Sequence, residues 1–182
     1  MPRWFNLANL FTLLRLILVP YVIGAILDGR NSRALELFIV AAITDGIDGV
    51  LARTYGMATR AGAYLDPIAD KCLLSGIFLA LGATGRAPWW LVGVVIGRDI
   101  YILVAVVSVM ALTKVRSFPP SRWGKISTFV QIATAVTWMV ENIWPVPLLH
   151  AVSSAILWVC AGFTIWSGVH YTLRGGQTLR AR

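Results

Sequence analysis

Long apolar runs separated by short polar punctuators dominate the chain. Runs of membrane-spanning length lie at 9–27, 34–53, 61–81, 89–112, 127–142 and 147–171. Between them stand DGRNSR, RTYGMAT, GATGRAP, TKVRSFPPSRWGK and NIWPVP, stretches supplied with the Gly, Pro and charged residues that end helices. A helix of about 20 residues covers about 30 Å, the thickness of one hydrocarbon core. The pattern therefore predicts an all-α integral membrane bundle of six transmembrane helices, the fifth being the shortest. No internal repeat, low-complexity tract or soluble segment breaks the series, so residues 1–182 read as a single membrane domain. Arg3 precedes the first run and Arg15 interrupts it. No small-residue cleavage site follows, which predicts an uncleaved helix rather than a signal peptide.

Composition strengthens this picture. Of 182 residues 58% are hydrophobic and only 13% are charged, with a mean hydropathy of +0.74. A soluble domain of this size could not hide so much apolar surface, so the surplus must face lipid. The net charge of +8 is spread between apolar runs and not clustered. It marks cytoplasmic loops and anionic headgroups, not nucleic acid. With both termini cytoplasmic, the inner segments carry Arg3, Arg53, Arg60, Lys114, Arg116, Arg122, Lys125, Arg174, Arg180 and Arg182, against Arg30, Arg33 and Arg86 outside. Cys72 and Cys160 lie in apolar runs without metal-like spacing. His150 and His170 lack a nearby second ligand and read as interface or packing residues. Trp4, Trp89, Trp90 and Trp144, near predicted helix ends, read as interfacial anchors.

Chemistry concentrates between Thr44 and Lys71, which hold four of the eight acidic residues. Asp45 and Asp48 are three apart and share one side of the second helix, with Gly49 and Ala52 completing the stripe and Arg53 one turn beyond Gly49. Asp66 and Asp70 are four apart and share a face of the third. Asp66-Pro67 alone would start that helix at Pro67 and leave it too short to span, so a start near Arg60 or Ala61 with a kink at Pro67 is expected. Four carboxylates at this depth need positive charge among them. Arg53 and Lys71 supply at most two charges, and divalent metal would supply the rest. All-oxygen ligands favour Mg²⁺, Mn²⁺ or Ca²⁺, and a site with room for phosphate favours Mg²⁺. Pairing with basic residues for topology, or exposure in an aqueous loop, is the alternative. It explains Asp66 and Asp70 poorly, because the apolar run continues directly after them.

The spacing of Asp45, Asp48, Gly49, Ala52, Arg53, Gly62, Asp66 and Asp70 resembles, without departure, the signature of the CDP-alcohol phosphotransferases. That resemblance implies an integral membrane enzyme that moves a substituted phosphoryl group from a CDP-linked donor to an alcohol, releasing CMP. It implies that Asp45, Asp48, Asp66 and Asp70 hold two Mg²⁺ or Mn²⁺ ions, with Asp70 also the base for the acceptor hydroxyl. Gly49 and Arg53 would contact the CDP moiety, with Ala52, Thr59 and Gly62 in the same donor-binding group. It further implies a homodimer in the cell membrane, while the Lys and Arg bias puts all four carboxylates near the cytoplasmic ends of the second and third helices, so the active site is expected to face the cytoplasm.

Flanking stretches narrow the resemblance. NLFTLLR at Asn9 to Arg15 resembles the start of phosphatidylglycerophosphate synthases and of CMP-forming cardiolipin synthases, although Ala8 stands where Pro is usual. Asn9 and Thr12 are one turn apart and could line the donor site, or Asn9 could simply cap the helix. LDPIADK, GRD at Gly97 to Asp99, and SRWGKISTFVQ resemble the same two groups. Arg98, with Arg122 and Lys125, is then a candidate anchor for an acceptor phosphate, the alternative being a structural ion pair between helices. Neighbouring side chains diverge by about 100°, so Arg98 and Asp99 need not pair with each other. CDP-diacylglycerol is the expected donor and glycerol 3-phosphate the leading acceptor, with phosphatidylglycerol, as in cardiolipin synthesis, second. A cation transporter is disfavoured by the absence of repeats and the one-sided acids. A prenyl-group enzyme is disfavoured by the lack of adjacent acids.

Overall fold

The computed structural model describes residues 7–54, 60–112 and 122–180, with side chains described for 13–46, 69–105, 108 and 122–173. Every element in these residues is an α-helix: α1 Leu7–Leu27, α2 Asn31–Thr54, α3 Arg60–Ala83, α4 Trp89–Leu112, α5 Arg122–Ile143 and α6 Pro147–Arg180. All six expected helices are present, and α3 begins at Arg60 and runs through Pro67 as the spanning length required. α5 and α6 extend past their apolar runs, into RWGK at the start of one and LRGGQTLR at the end of the other. Apolar periodicity marks the greasy part of a helix, whereas backbone hydrogen bonding continues until a cap intervenes.

Glycine supplies two of those caps. Gly29 and Gly85 both have φ of 72°, a left-handed conformation that costs glycine little. After α1, the Gly29 N–H donates to the Ile26 carbonyl (3.0 Å) and the Arg30 N–H to the Ala25 carbonyl (2.8 Å). After α3, Gly85 donates to Gly82 (3.0 Å) and Arg86 to Leu81 (2.9 Å) in the same pattern. Both are Schellman closures, which satisfy carbonyls that the helix end would otherwise orphan.

Packing divides the chain into two compact units, Met1–Arg86 with Asn142–Trp144, and Ala87–Glu141 with Pro145–Arg182. In the first, α1 packs against both α2 and α3. Its core is built from helical stripes: Val22 and Ile26 on α1, Ala34, Phe38 and Ala41 on α2, and Leu74, Ile77 and Leu81 on α3, all buried. α1 and α3 approach closely at Gly76, where an added Cβ would lie 2.6 Å from Ile23 Cδ1.

In the second unit α4 packs against α6. The inner face of α5 is polar, with Ser127, Gln131 and Thr134 fully buried. Gln131 donates to the Thr164 hydroxyl of α6 at 3.1 Å, and the Cys160 thiol meets the hydroxyls of Thr134 and Thr164.

Large apolar side chains lie outside as well as in the core, and a few polar ones are buried with it. Ile17, Leu103, Phe129, Leu148 and Trp158 are more than half exposed, while Arg15, Gln131, Thr164 and Ser167 are buried. Among the described residues, Pro147–Leu173 of α6 is long and apolar enough to cross a bilayer, and Leu13–Leu27 of α1 is a shorter apolar stretch. Trp89, Trp90 and Trp144 are exposed at or near helix ends, where the sequence placed them.

Candidate active site

Each inner stripe of the first unit ends in a charge. Arg15 precedes Val22 and Ile26 by 7 and 11 residues, Asp45 follows Ala41, Phe38 and Ala34 by 4, 7 and 11, and Asp70 precedes Leu74, Ile77 and Leu81 by the same intervals. These are the spacings of one helix face, so folding the apolar stripes together brings the three charges along. Depth agrees as well. Twelve residues separate Arg15 from Leu27, fourteen separate Asn31 from Asp45, and thirteen separate Asp70 from Ala83. At 1.5 Å per residue these are about 18, 21 and 20 Å of helix, so all three charges stand at one level.

They meet there. Arg15, 1% exposed, is the largest fully buried side chain among the described residues. Its Nη2 pairs with Asp45 Oδ1, and its Nη1 donates to Asp70 Oδ1 at 2.5 Å. The two carboxylates are 46% and 52% exposed. A guanidinium with no other access to solvent thus holds one acid from each half of the motif, while the acids themselves remain open to water. The planar fork of arginine suits this bridging, which a lysine ammonium could not reproduce geometrically.

Asp48, Gly49, Ala52, Arg53, Gly62 and Asp66 lie on α2 and α3 by backbone, with their surroundings outside the described side chains; Asn9 and Thr12 lie likewise on α1. Thr59 is outside the described residues. Lys71 is exposed beside Asp70. Among the described residues no three His, Cys, Asp or Glu side chains come together as a metal site. The donor chemistry present nevertheless fits a hard divalent cation: carboxylate oxygens from two helices that both reach Arg15. A carboxylate has about four lone-pair sites, so pairing through Oδ1 and ligation are compatible.

The candidate acceptor residues fall in the second unit. Arg98 is 7% exposed, and its Nη1 donates to Asp99 Oδ1 at 2.7 Å. Its Nη2 donates to Ser167 Oγ of α6 at 2.6 Å. Adjacent residues do pair here, although their directions diverge. The arginine stem passes Gly168, where an added Cβ would lie 3.9 Å from Arg98 Cγ, an ordinary contact, and its length lets the guanidinium swing back to Asp99. Arg122 and Lys125 are exposed in the first turn of α5. His150 pairs with Glu141 at 2.8 Å on the surface.

The sequence pattern of the CDP-alcohol phosphatidyltransferases matches residues 5–166, across both compact units. The chain belongs to this family. It is 36% identical over 176 residues to a "Probable phosphatidylglycerophosphate synthase" of Mycobacterium tuberculosis, covering 93% of this chain and 81% of that one. It is 36% identical to a "CDP-diacylglycerol–glycerol-3-phosphate 3-phosphatidyltransferase" of Shigella flexneri serotype 5b and 35% identical to one of Escherichia coli K12, each time over 92% of this chain and 93% of the other.

Sequence reasoning sought cations for the acids in Arg53 and Lys71 and passed over Arg15. The signal was present: a lone arginine inside an apolar run, at the end of the same NLFTLLR stretch that carried the resemblance. An intramembrane charge asks for a partner, and the inner stripe of α1 shows where that partner must lie.

Proposed function

We propose that this protein is a membrane-embedded phosphatidyltransferase that moves the phosphatidyl group of CDP-diacylglycerol to glycerol 3-phosphate and releases CMP. One observation carries the choice of acceptor. Relatives that match nearly the whole chain, over most of their own length, are named for that reaction. The membrane placement, with six spanning helices and both termini cytoplasmic, is supported by the exposed apolar surface and the asymmetric distribution of Lys and Arg.

In this reading the acceptor hydroxyl attacks the phosphorus that bears diacylglycerol, a new P–O bond forms, and the bond to CMP breaks. Asp70, whose side chain is half exposed, receives the hydroxyl proton. Asp45, Asp48, Asp66 and Asp70 would hold Mg²⁺, which when bound would supply positive charge against the donor pyrophosphate. Arg15 is a positioning residue: it aims Asp45 and Asp70 inward from opposite helices. Gly49, Ala52 and Gly62 leave space for the nucleotide to approach the backbone, and Arg53 grips its phosphates. Arg122 and Lys125 offer exposed positive charge to the acceptor phosphate.

The test is CMP release by the purified protein from CDP-diacylglycerol with Mg²⁺, offering glycerol 3-phosphate and phosphatidylglycerol in separate reactions with chelator controls. Chelator-sensitive release with glycerol 3-phosphate alone is expected. Release with phosphatidylglycerol alone would reassign the acceptor, and release insensitive to chelators would remove the metal.

A further inference from the structure

The end of the first unit opposite Arg15 carries a second concave surface. A cavity of about 390 Å³ opens between the distal ends of α1 and α2, within the range of roughly 300–1,000 Å³ that holds small ligands. Its floor is apolar, formed by Pro20, Gly24 and Leu37, with Tyr21 alongside. A Cβ on Gly24 would meet nothing within 4 Å, so a longer side chain at this position has open space to project into.

The rim has the opposite chemistry. Arg30 and Arg33 line it, with Asp28 as the one acid. Arg30 pairs with Asp28, both side chains more than half exposed. Arg33 is exposed and has no ion pair among the described residues. Among the groups that line the cavity one positive charge is therefore left over, Glu36 lying exposed three residues beyond Arg33 and outside the lining. The first turn of α2 contains no acid and does contain Arg33, a sign that the helix dipole disfavours unless an anion joins it. Arg30 and Arg33 are also two of the three cations assigned to the membrane side where positive charge is normally sparse.

We propose that this groove binds an anionic phospholipid, its phosphodiester against Arg30 and Arg33 and the upper part of an acyl chain along Pro20, Gly24 and Leu37. An apolar trough meeting a cationic rim at the level of a helix end matches the junction of headgroup and chain, and a soluble anion would use only half of it. The site lies about 20 Å of helix from the Arg15 cluster, on the far face of the same three-helix unit. The proposal rests on the membrane placement given above, but not on the acceptor or on the chemistry.

The experiment uses the purified full chain in uncharged detergent and follows its melting temperature on adding phosphatidylglycerol, phosphatidylcholine or inorganic phosphate. Phosphatidylglycerol should raise it by on the order of 5 °C for the unmodified chain, and phosphatidylcholine or phosphate by much less. Arg33→Gln and Gly24→Leu should each lose most of that response, because one removes rim charge and the other fills the floor. Arg86→Gln, an exposed arginine on the same side but outside the groove, should keep it. An equal loss in Arg86→Gln would mean nonspecific surface charge and overturn the proposal. So would a full response in Gly24→Leu, or a full shift with phosphate alone. CMP release measured on the same preparations tests the proposed reaction separately, since a lipid response without turnover, or turnover without a lipid response, assigns the failure to one reading.

Discussion

Among the described residues, the Arg15 and Arg98 side chains are both largely withdrawn from solvent and keep different company. Arg98, 7% exposed, binds the carboxylate of its neighbour Asp99, 11% exposed, and a hydroxyl from α6. Arg15, 1% exposed, reaches acids on two other helices, and those acids are about half exposed. The first arrangement is closed: charge and countercharge are both withdrawn from water, and the partner comes from the same helix. The second is open on its acidic side and needs three helices in register. Burying an arginine requires only the first kind of solution. A protein that spends three helices on presenting two wet carboxylates is holding them for something that arrives from water.

Removing the proposed base should separate the clusters most sharply. Asp70→Asn should lower CMP release by about 1,000-fold or more, with little change in melting temperature because the side chain is half exposed. Retained turnover in a folded Asp70→Asn protein would end the claim that the open cluster is catalytic.

Arg15 comes next. Arg15→Ala should reduce kcat by about 100-fold, the scale seen when groups that orient metal-binding residues are lost. Arg15→Lys, which keeps the charge but not the fork, should recover part of it. Because a positioning residue acts on the reacting geometry, the loss should appear in kcat more than in the KM for glycerol 3-phosphate. If Arg15→Ala instead behaves as a folding defect, with turnover per folded molecule intact, then Arg15 is scaffolding and the two clusters are alike.

Much of this was legible in the sequence. The six apolar runs gave six helices because a long run bounded by Gly, Pro and charge has few other ways to satisfy its backbone. Spacing placed Asp45 with Asp48, and Asp66 with Asp70, on shared helix faces; the buried apolar residues 4, 7 and 11 positions before Asp45 and after Asp70 carry those two acids to inner faces. What escaped was pairing between helices. Nothing within TDGIDG or LDPIADK names Arg15, because the contact depends on α1 lying between α2 and α3 at a matching depth, a fact of tertiary packing at Gly76 and Ile23. Asp99 escaped for a different reason. The 100° rule treats side chains as spokes, and a long, flexible arginine can bend away from its own.

The smallest effect on chemistry should come from Arg98. Its sequence context offered it as an anchor for the acceptor phosphate, and its hydrogen bonds to Asp99 and Ser167 offer a structural role instead. The two readings divide cleanly. If the cluster is closed for structural reasons, Arg98→Met should lower the melting temperature by on the order of 10 °C, because it withdraws the guanidinium from a carboxylate that is almost buried. The KM for glycerol 3-phosphate should then stay within about twofold, a change of under 0.5 kcal/mol in binding. Adding Asp99→Asn to Arg98→Met should restore much of the lost stability, since removing both charges from a buried pair costs far less than removing one. An acceptor site would give the opposite signature: a KM raised tenfold or more at an unchanged melting temperature, with no rescue by the second substitution. That result would make Arg98 an acceptor anchor and leave Arg15 the only buried guanidinium assigned to positioning.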